Sequence, residues 1–186
     1  YLDNGAKVVL VTRDDLPIIE MEIMFNGGYA IENENNLGLV NFTMSMLDEG
    51  TKKYSVFGYE DLKSELGSSI SFGSSLDNSY ASLSSLKINF DKTLDLLYES
   101  LLNPTFPQEE IDRLKKLWIS NIDESLTTPA SMAARKVGPL IYGKDHPYGK
   151  PSGSGKSEAV SNITRDDIVD IPVSYTHLRA HETLSY

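Results

Sequence analysis

The sequence predicts an α+β fold, with an antiparallel sheet and helices packed largely on one face. Three observations carry that prediction. Elements come in the order β-β-α-α-β-β-α-α-α, so strands and helices are grouped rather than alternating. Strict βαβ alternation is absent, which counts against a doubly wound nucleotide fold. The 186 residues are 40% apolar, enough to bury a core without covalent staples.

Residues 7–12 (Lys-Val-Val-Leu-Val-Thr) and 18–25 read as strands rich in branched apolar residues, separated by the turn at residues 13–17. In the second, Ile19, Met21, Ile23 and Phe25 alternate with Glu20, Glu22 and Met24, so one face is expected to be buried. Asn26-Gly27-Gly28 breaks it. After a polar loop at 32–36, Leu39, Phe42 and Met46 recur at helical spacing until Gly50 stops the helix. A second helix is expected over 59–66, ended by Gly67. Serine-rich residues 68–85 read as a β-hairpin around Asp77-Asn78, with Ile70, Phe72, Tyr80, Leu83 and Leu86 among β-compatible neighbours. Its serines are small sheet-surface residues rather than nucleophiles, since no His or Lys motif accompanies them.

Helices follow over 91–102, with Leu94, Leu97, Tyr98 and Leu101 as the core stripe, over 108–126 behind Pro107, and over 129–141. The acidic first turn Gln108-Glu109-Glu110 suits the positive end of the helix dipole. Asn103-Pro104-Thr105-Phe106-Pro107 reads as a rigid connector, and Thr164-Arg165-Asp166-Asp167 as the start of one more helix. For Trp118, core and interface roles are both open.

A formal charge of −10, from 27 acidic and 17 basic residues, argues against nucleic acid as a partner. Zero Cys excludes disulfides, thiolate metal sites and thiol catalysis. No run approaches the roughly 20 apolar residues of a membrane span. Tyr1 is not an initiator Met, so residues upstream are left open.

The stretch Gly38-Leu39-Val40-Asn41-Phe42-Thr43-Met44-Ser45-Met46-Leu47-Asp48-Glu49-Gly50-Thr51 carries the most chemical information. It is similar to the active-site helix of the pitrilysin/insulinase-type zinc metallopeptidases, peptidase family M16, a group that includes the mitochondrial processing peptidases. There the helix reads roughly Gly-Leu-x-His-x-x-Glu-His-Met-Leu-x-x-Gly-Thr. Two His four apart share one helix face and can hold one ion, and the Glu can take a proton from metal-bound water. Here Asn41 and Ser45 stand at the His positions and Met44 at the Glu position. An amide, a thioether and a hydroxyl are not competent replacements.

Further landmarks keep the family order: Leu2-Asp3-Asn4-Gly5, Leu101-Leu102 with the Asn-Pro-x-Phe-Pro connector, residues 142–149 (Tyr-Gly-Lys-Asp-His-Pro-Tyr-Gly) and Ile163-Thr164-Arg165-Asp166-Asp167. The resemblance implies the first of two similar subdomains in one half of such a peptidase, over residues 1–171, with the processing-peptidase type of α+β fold. In active members the third zinc ligand is a Glu on the helix after the connector. Matching through Phe106-Pro107 puts that position near Asn121, with Leu114 at an upstream acidic position; Asp123 and Glu124 are close in sequence but turned away on a helix. Asn41, Met44, Ser45 and Asn121 are thus degenerate positions, and no catalytic, metal or cofactor site is expected in this chain. The pattern is similar to the family's non-catalytic halves, which close the chamber and help hold substrate peptides. It implies a zinc-bearing partner half, in the same long chain or a separate subunit, with zinc in that partner and peptides as substrates. The alternative is a purely structural core subunit of a larger complex, without a proteolytic role. Bacterial relatives are often exported, so the resemblance implies a periplasmic or exported setting.

Three leads are set aside. Residues 149–157 (Gly-Lys-Pro-Ser-Gly-Ser-Gly-Lys-Ser) fail the phosphate-loop count, because Lys150 stands five before Gly155, and they read as a solvated loop. His146, in Asp-His-Pro-Tyr, lacks ligand partners and reads as structural. His177 and His181 are four apart and Glu182 follows, yet every residue from Val173 to Thr183 matches the conceptual translation of a transposase-type sequencing adapter. Residues 172–186 are therefore read as a non-native tail, and the native protein is expected to continue beyond Ile171.

Overall fold

A computed structural model describes residues 1–2, 5–13, 15–150 and 153–177, with side chains as far as residue 171. Three strands, β1 (Ile18–Asn26), β2 (Ser69–Ser74) and β3 (Asn78–Leu86), form an antiparallel sheet in the order β1-β3-β2. The register runs from Ile18 opposite Leu86 to Asn26 opposite Asn78, and from Ser69 opposite Ser84 to Ser74 opposite Ser79. Side-chain alternation then decides which face is covered. On β1, Ile19, Met21, Ile23 and Phe25 turn inward as expected, while Ile18 and Met24 are exposed.

Seven helices accompany the sheet among the described residues: α1 (Leu39–Met44), α2 (Val56–Glu65), α3 (Phe90–Leu102), α4 (Gln108–Ser125), α5 (Pro129–Tyr142), α6 (Ser157–Asn162) and α7 (Arg165–His177). One apolar cluster joins the inner sheet face to α2 and α3 through Tyr59, Ile70, Ala81, Leu83, Leu96 and Leu97. A second unites α1, α4, α6 and α7 through residues that include Phe42, Met44, Ile111, Leu114, Val160 and Ile168. Phe72 and Leu101 touch both clusters, so the two form one continuous interior. The α+β arrangement with helices packed on an antiparallel sheet is the one read from the sequence.

Several elements depart from expectation. Residues 7–12 take no sheet pairing, and Val8, Val9, Leu10 and Val11 are exposed. Branched residues favour a pleated surface only where neighbours cover it, and none of the described residues covers these. Of the stripe expected on α3, Leu97 is buried and Leu94 and Leu101 pack against the core, whereas Tyr98 is 59% exposed and Thr93, Leu96 and Ser100 face inward with them. Thr93 is satisfied by the Asn89 carbonyl and Ser85, each at 3.0 Å, and Ser100 by the Leu96 carbonyl, so polar residues occupy positions that an apolar count skips. Ser79 and Ser85 likewise are buried, Ser79 donating to the Gly27 carbonyl at 2.9 Å, rather than lying on the sheet surface.

The opening helix is also shorter than expected. Past Met44 the chain tightens into turns, with the Met46, Leu47 and Glu49 amides donating three residues back, before Gly50 ends the stretch at φ +107°. The tighter path keeps both Met46 and Leu47 in the core. The connector before α4 holds Phe106 in the left-handed region at φ +49°, buried, and Arg165 donates to the Thr105 and Phe106 carbonyls from α7. α7 runs through Ile171 to His177. Residues 178–186, with His181 and Glu182, lie outside the described residues.

Candidate functional site

The site is built around α1, whose entry is fixed by a buried carboxylate. Glu32 is 4% exposed and accepts the Gly38 amide on Oε2 and the Val40 amide on Oε1, each at 2.8 Å. These are first-turn amides that would otherwise lack partners. Burial pushes the Glu32 carboxyl up to about 7, against the lowering pull of those two hydrogen bonds and of Lys150. Gly38 itself stands at φ +98°, with the Ser154 carbonyl oxygen 2.9 Å from where a Cβ would be.

Asn41, one turn on, points its carboxamide toward the end of β2. Its Oδ1 accepts the Ser74 amide at 3.0 Å and the Ser74 hydroxyl at 2.8 Å. Its Nδ2 lies against Gly153, only 2.1 Å from the place a Cβ would take there. Met44 is 3% exposed and belongs to the apolar cluster, whereas Ser45 is half-buried at the helix end. The spacing Asn41/Met44/Ser45 therefore becomes a bound amide, a core side chain and a C-cap.

The glycine-rich segment is no solvated loop. Gly153 and Gly155 are buried, and a Cβ on Gly155, at φ +74°, would lie 2.1 Å from the Leu37 carbonyl oxygen. Only glycine allows this backbone-on-backbone approach. The segment is a strap across the entry of α1. Its Ser154 carbonyl accepts the Trp118 indole N–H at 2.9 Å, and its Ser154 hydroxyl accepts from Arg135 Nη1 at 2.7 Å. Trp118 in turn meets Phe42 edge to face, ring centroids 5.7 Å apart. The two roles left open for Trp118 resolve to a half-buried bridge between α1, α4 and the strap.

On α4, Leu114 is buried and Asn121 is exposed at the rim of a cleft of about 250 Å³ that it shares with Trp118, Ile122, Ser125 and Ser154. Asp123 is turned elsewhere and accepts the Ser157 hydroxyl at 2.7 Å, and Glu124 is exposed. Asn41 and Asn121 thus both border the strap, from α1 and from α4. His146 stands apart from them: its Nδ1 accepts the Tyr148 amide at 3.0 Å, and its ring stacks on Tyr142.

A family model described as Insulinase (Peptidase family M16) matches residues 7–140. The chain belongs to that family. The chain is 29% identical over 114 residues to the "Non-peptidase homolog YmxG" of Helicobacter pylori, covering 60% of this chain and 26% of that protein. It is 24% identical over 165 residues to an "Uncharacterized zinc protease" of Rickettsia felis, covering 89% and 40%. The crystal structure of a peptidase M16 inactive domain from Pseudomonas fluorescens superposes with a TM-score of 0.83 at 26% identity, over 90% of this chain and 40% of that one. The chain therefore spans less than half the length of these relatives.

Zinc is the metal this family implies, and the side chains present do not fit it. The Asn41 amide is already bonded to Ser74, the Met44 thioether is packed in the core, and Asn121 offers no anionic donor. Among the described residues no three His, Cys, Asp or Glu side chains are grouped so as to hold a metal ion. Among its described residues this M16 chain therefore groups no side chains that would supply the family's metal chemistry. Sequence reasoning missed two parts of the site. Glu32 looked like one more loop carboxylate, and sequence spacing does not show that it reaches forward to cap the Gly38 and Val40 amides. The strap looked solvated, although two glycines with a single residue between them can also mark close backbone packing.

Proposed function

We propose that residues 1–171 form the first subdomain of a non-catalytic half of an M16 peptidase, of the processing-peptidase type, and that this half assembles with a zinc-bearing half to enclose peptide substrates. In this reading Asn41, Met44, Ser45 and Asn121 stand where active members carry their two His, their general base and their third ligand. The observation that carries it is the fate of α1: the family frame from Gly38 to Thr51 is kept, while the three chemical positions have become structural. Two relatives support this reading, one a non-peptidase homolog and the other an inactive domain.

The reading assigns zinc to the partner half and none to this chain. Affinity purification from the native host should recover a protein carrying His-x-x-Glu-His, and that complex should cleave a quenched peptide while this chain alone does not. Metal-dependent cleavage by the chain alone would overturn the reading. Recovery within a membrane electron-transfer complex, without a peptidase partner, would favour a purely structural subunit instead.

A further inference from the structure

We propose that residues 7–12 form a β-strand donated to a second sheet, one that belongs to the part of the M16 half lying outside this chain. The proposal rests on the reading of residues 1–171 as one subdomain of a longer half. The segment is unpartnered here. Val8, Val9, Leu10 and Val11 are 59% to 82% exposed, and among the described residues no backbone hydrogen bond is made by residues 7–12. Free amides and carbonyls along a run of branched apolar residues are a template for strand pairing.

The residues of the segment select the kind of sheet. Alternate residues of a strand face opposite sides, so Val8 and Leu10 would share one face and Val9 and Val11 the other. Both faces are apolar, the pattern of a strand covered on both sides. The sheet of this chain does not offer such a place. β1 is its edge strand nearest in sequence, and folding back onto β1 would extend a sheet whose outer face is polar. That face carries Glu20 and Glu22, both exposed, opposite Ser84 and Ser82, and the Ser82 and Ser71 hydroxyls bond to each other at 2.8 Å. In either register two large apolar side chains of the segment would lie on the same face as those carboxylates.

The length of the relatives supplies the occupant. This chain spans less than half of each, which leaves more than an equal length of chain to build a second sheet with its own cover. The tether also suits it. Residues 13–17 join the segment to β1, and five residues reach up to about 17 Å, further than the roughly 10 Å that separates packed sheets. The strand can therefore leave the β1 edge and pair with a neighbouring sheet, where ladder hydrogen bonds satisfy its backbone and burial covers its valines.

The test is hydrogen–deuterium exchange on the full-length protein and on the 186-residue chain. The amides of residues 8–12 should exchange at least about 100-fold more slowly in the full-length protein, with β3 protected in both. A photo-reactive benzoylphenylalanine in place of Val9 in the full-length protein should attach outside residues 1–171; attachment to β1 would overturn the proposal. Val9→Glu with Val11→Glu should lower the unfolding temperature of the full-length protein and leave that of the 186-residue chain unchanged. Fast exchange of residues 8–12 in a full-length protein that carries a second subdomain would overturn the proposal and spare the reading beneath it, whereas a full-length protein without a second subdomain would remove both. Protection already present in the 186-residue chain would also overturn it, as folding back onto β1 if independent of concentration and as self-pairing if it grows with concentration. If the glutamate variant fails to fold, exchange in the unaltered protein decides alone.

Discussion

Glu32 and Asp48 are carboxylates that folding makes harder to ionise, Glu32 up to about 7 and Asp48 up to about 6, both chiefly through burial. The sign follows from linkage. Where the folded state holds a proton that the unfolded chain has released, raising the pH costs stability. Their contribution is therefore fully present below about pH 4, the unfolded range, and is lost as pH rises through 6 and 7. Asp167 runs the other way. Thr164 holds its carboxyl below the usual range, so its contribution is present at neutral pH and fades only in acid. Thermal unfolding should show a midpoint that falls between pH 5 and 7.5, with a smaller fall in Glu32→Gln and in Asp48→Asn. A midpoint that rises across that interval, or variants that leave the slope unchanged, would contradict it. Met44 makes the matching case for chemistry. Putting a glutamate there buries a charge in an apolar cluster without a partner, a loss of about 3–5 kcal/mol. Rebuilding the motif as Asn41→His, Met44→Glu and Ser45→His should lower the unfolding temperature and give no peptide hydrolysis, because Asn121, the third-ligand position in the proposed reading, still offers no carboxylate.

At the scale of elements, the strap and α1 show what the sequence made legible and what it hid. The alternation Ile19/Met21/Ile23/Phe25 was readable because it is a local pattern with one periodicity, and Leu39, Phe42 and Met46 were readable as core although the helix ends before Met46. Tyr98 was misplaced because α3 buries Thr93 and Ser100, whose partners lie elsewhere in the chain or one turn back, beyond the reach of an apolar count. The strap was hidden for a similar reason. Glycine spacing does not say whether a loop meets water or another backbone, and that choice is made by Leu37 and Gly38, more than a hundred residues away. Two glycines separate the cases experimentally. Gly67 has φ +58° and open space around it, so Gly67→Ala should cost about 1 kcal/mol from the backbone alone. Gly155 has φ +74° and the Leu37 carbonyl in the way, so Gly155→Ala should cost at least about 2 kcal/mol more, since backbone must move. Chemical denaturation of the two variants checks this, and equal losses would mean that the strap is not seated on α1.

Over the whole molecule, stability is unevenly distributed. The interior runs from the inner sheet face through α2 and α3 to the α1–α4–α6–α7 cluster, bridged by Phe72 and Leu101. α5 stands outside it. None of its residues is buried, and it meets the rest of the chain at the turn Pro147–Gly149 and through Arg135 on the strap. Its body-facing side is Arg135, Gly138 and Pro139, while Val137, Leu140 and Ile141 face solvent. An amphipathic helix ordinarily gains its stability by burying its apolar stripe, and this one does not. Leu140 and Ile141 should therefore contribute almost nothing to the folding of this chain, whereas residues of similar size in the interior carry it. Leu140→Lys with Ile141→Lys is expected to change unfolding free energy by no more than about 0.5 kcal/mol. Leu97→Ala should cost about 2–5 kcal/mol and Phe42→Ala about 3–5 kcal/mol. Urea unfolding of the four-residue set, read at matched pH, ranks them. A large loss from the lysine pair would show that α5 is packed into the interior, and would remove the division of the molecule into a cohesive body and an outlying helix.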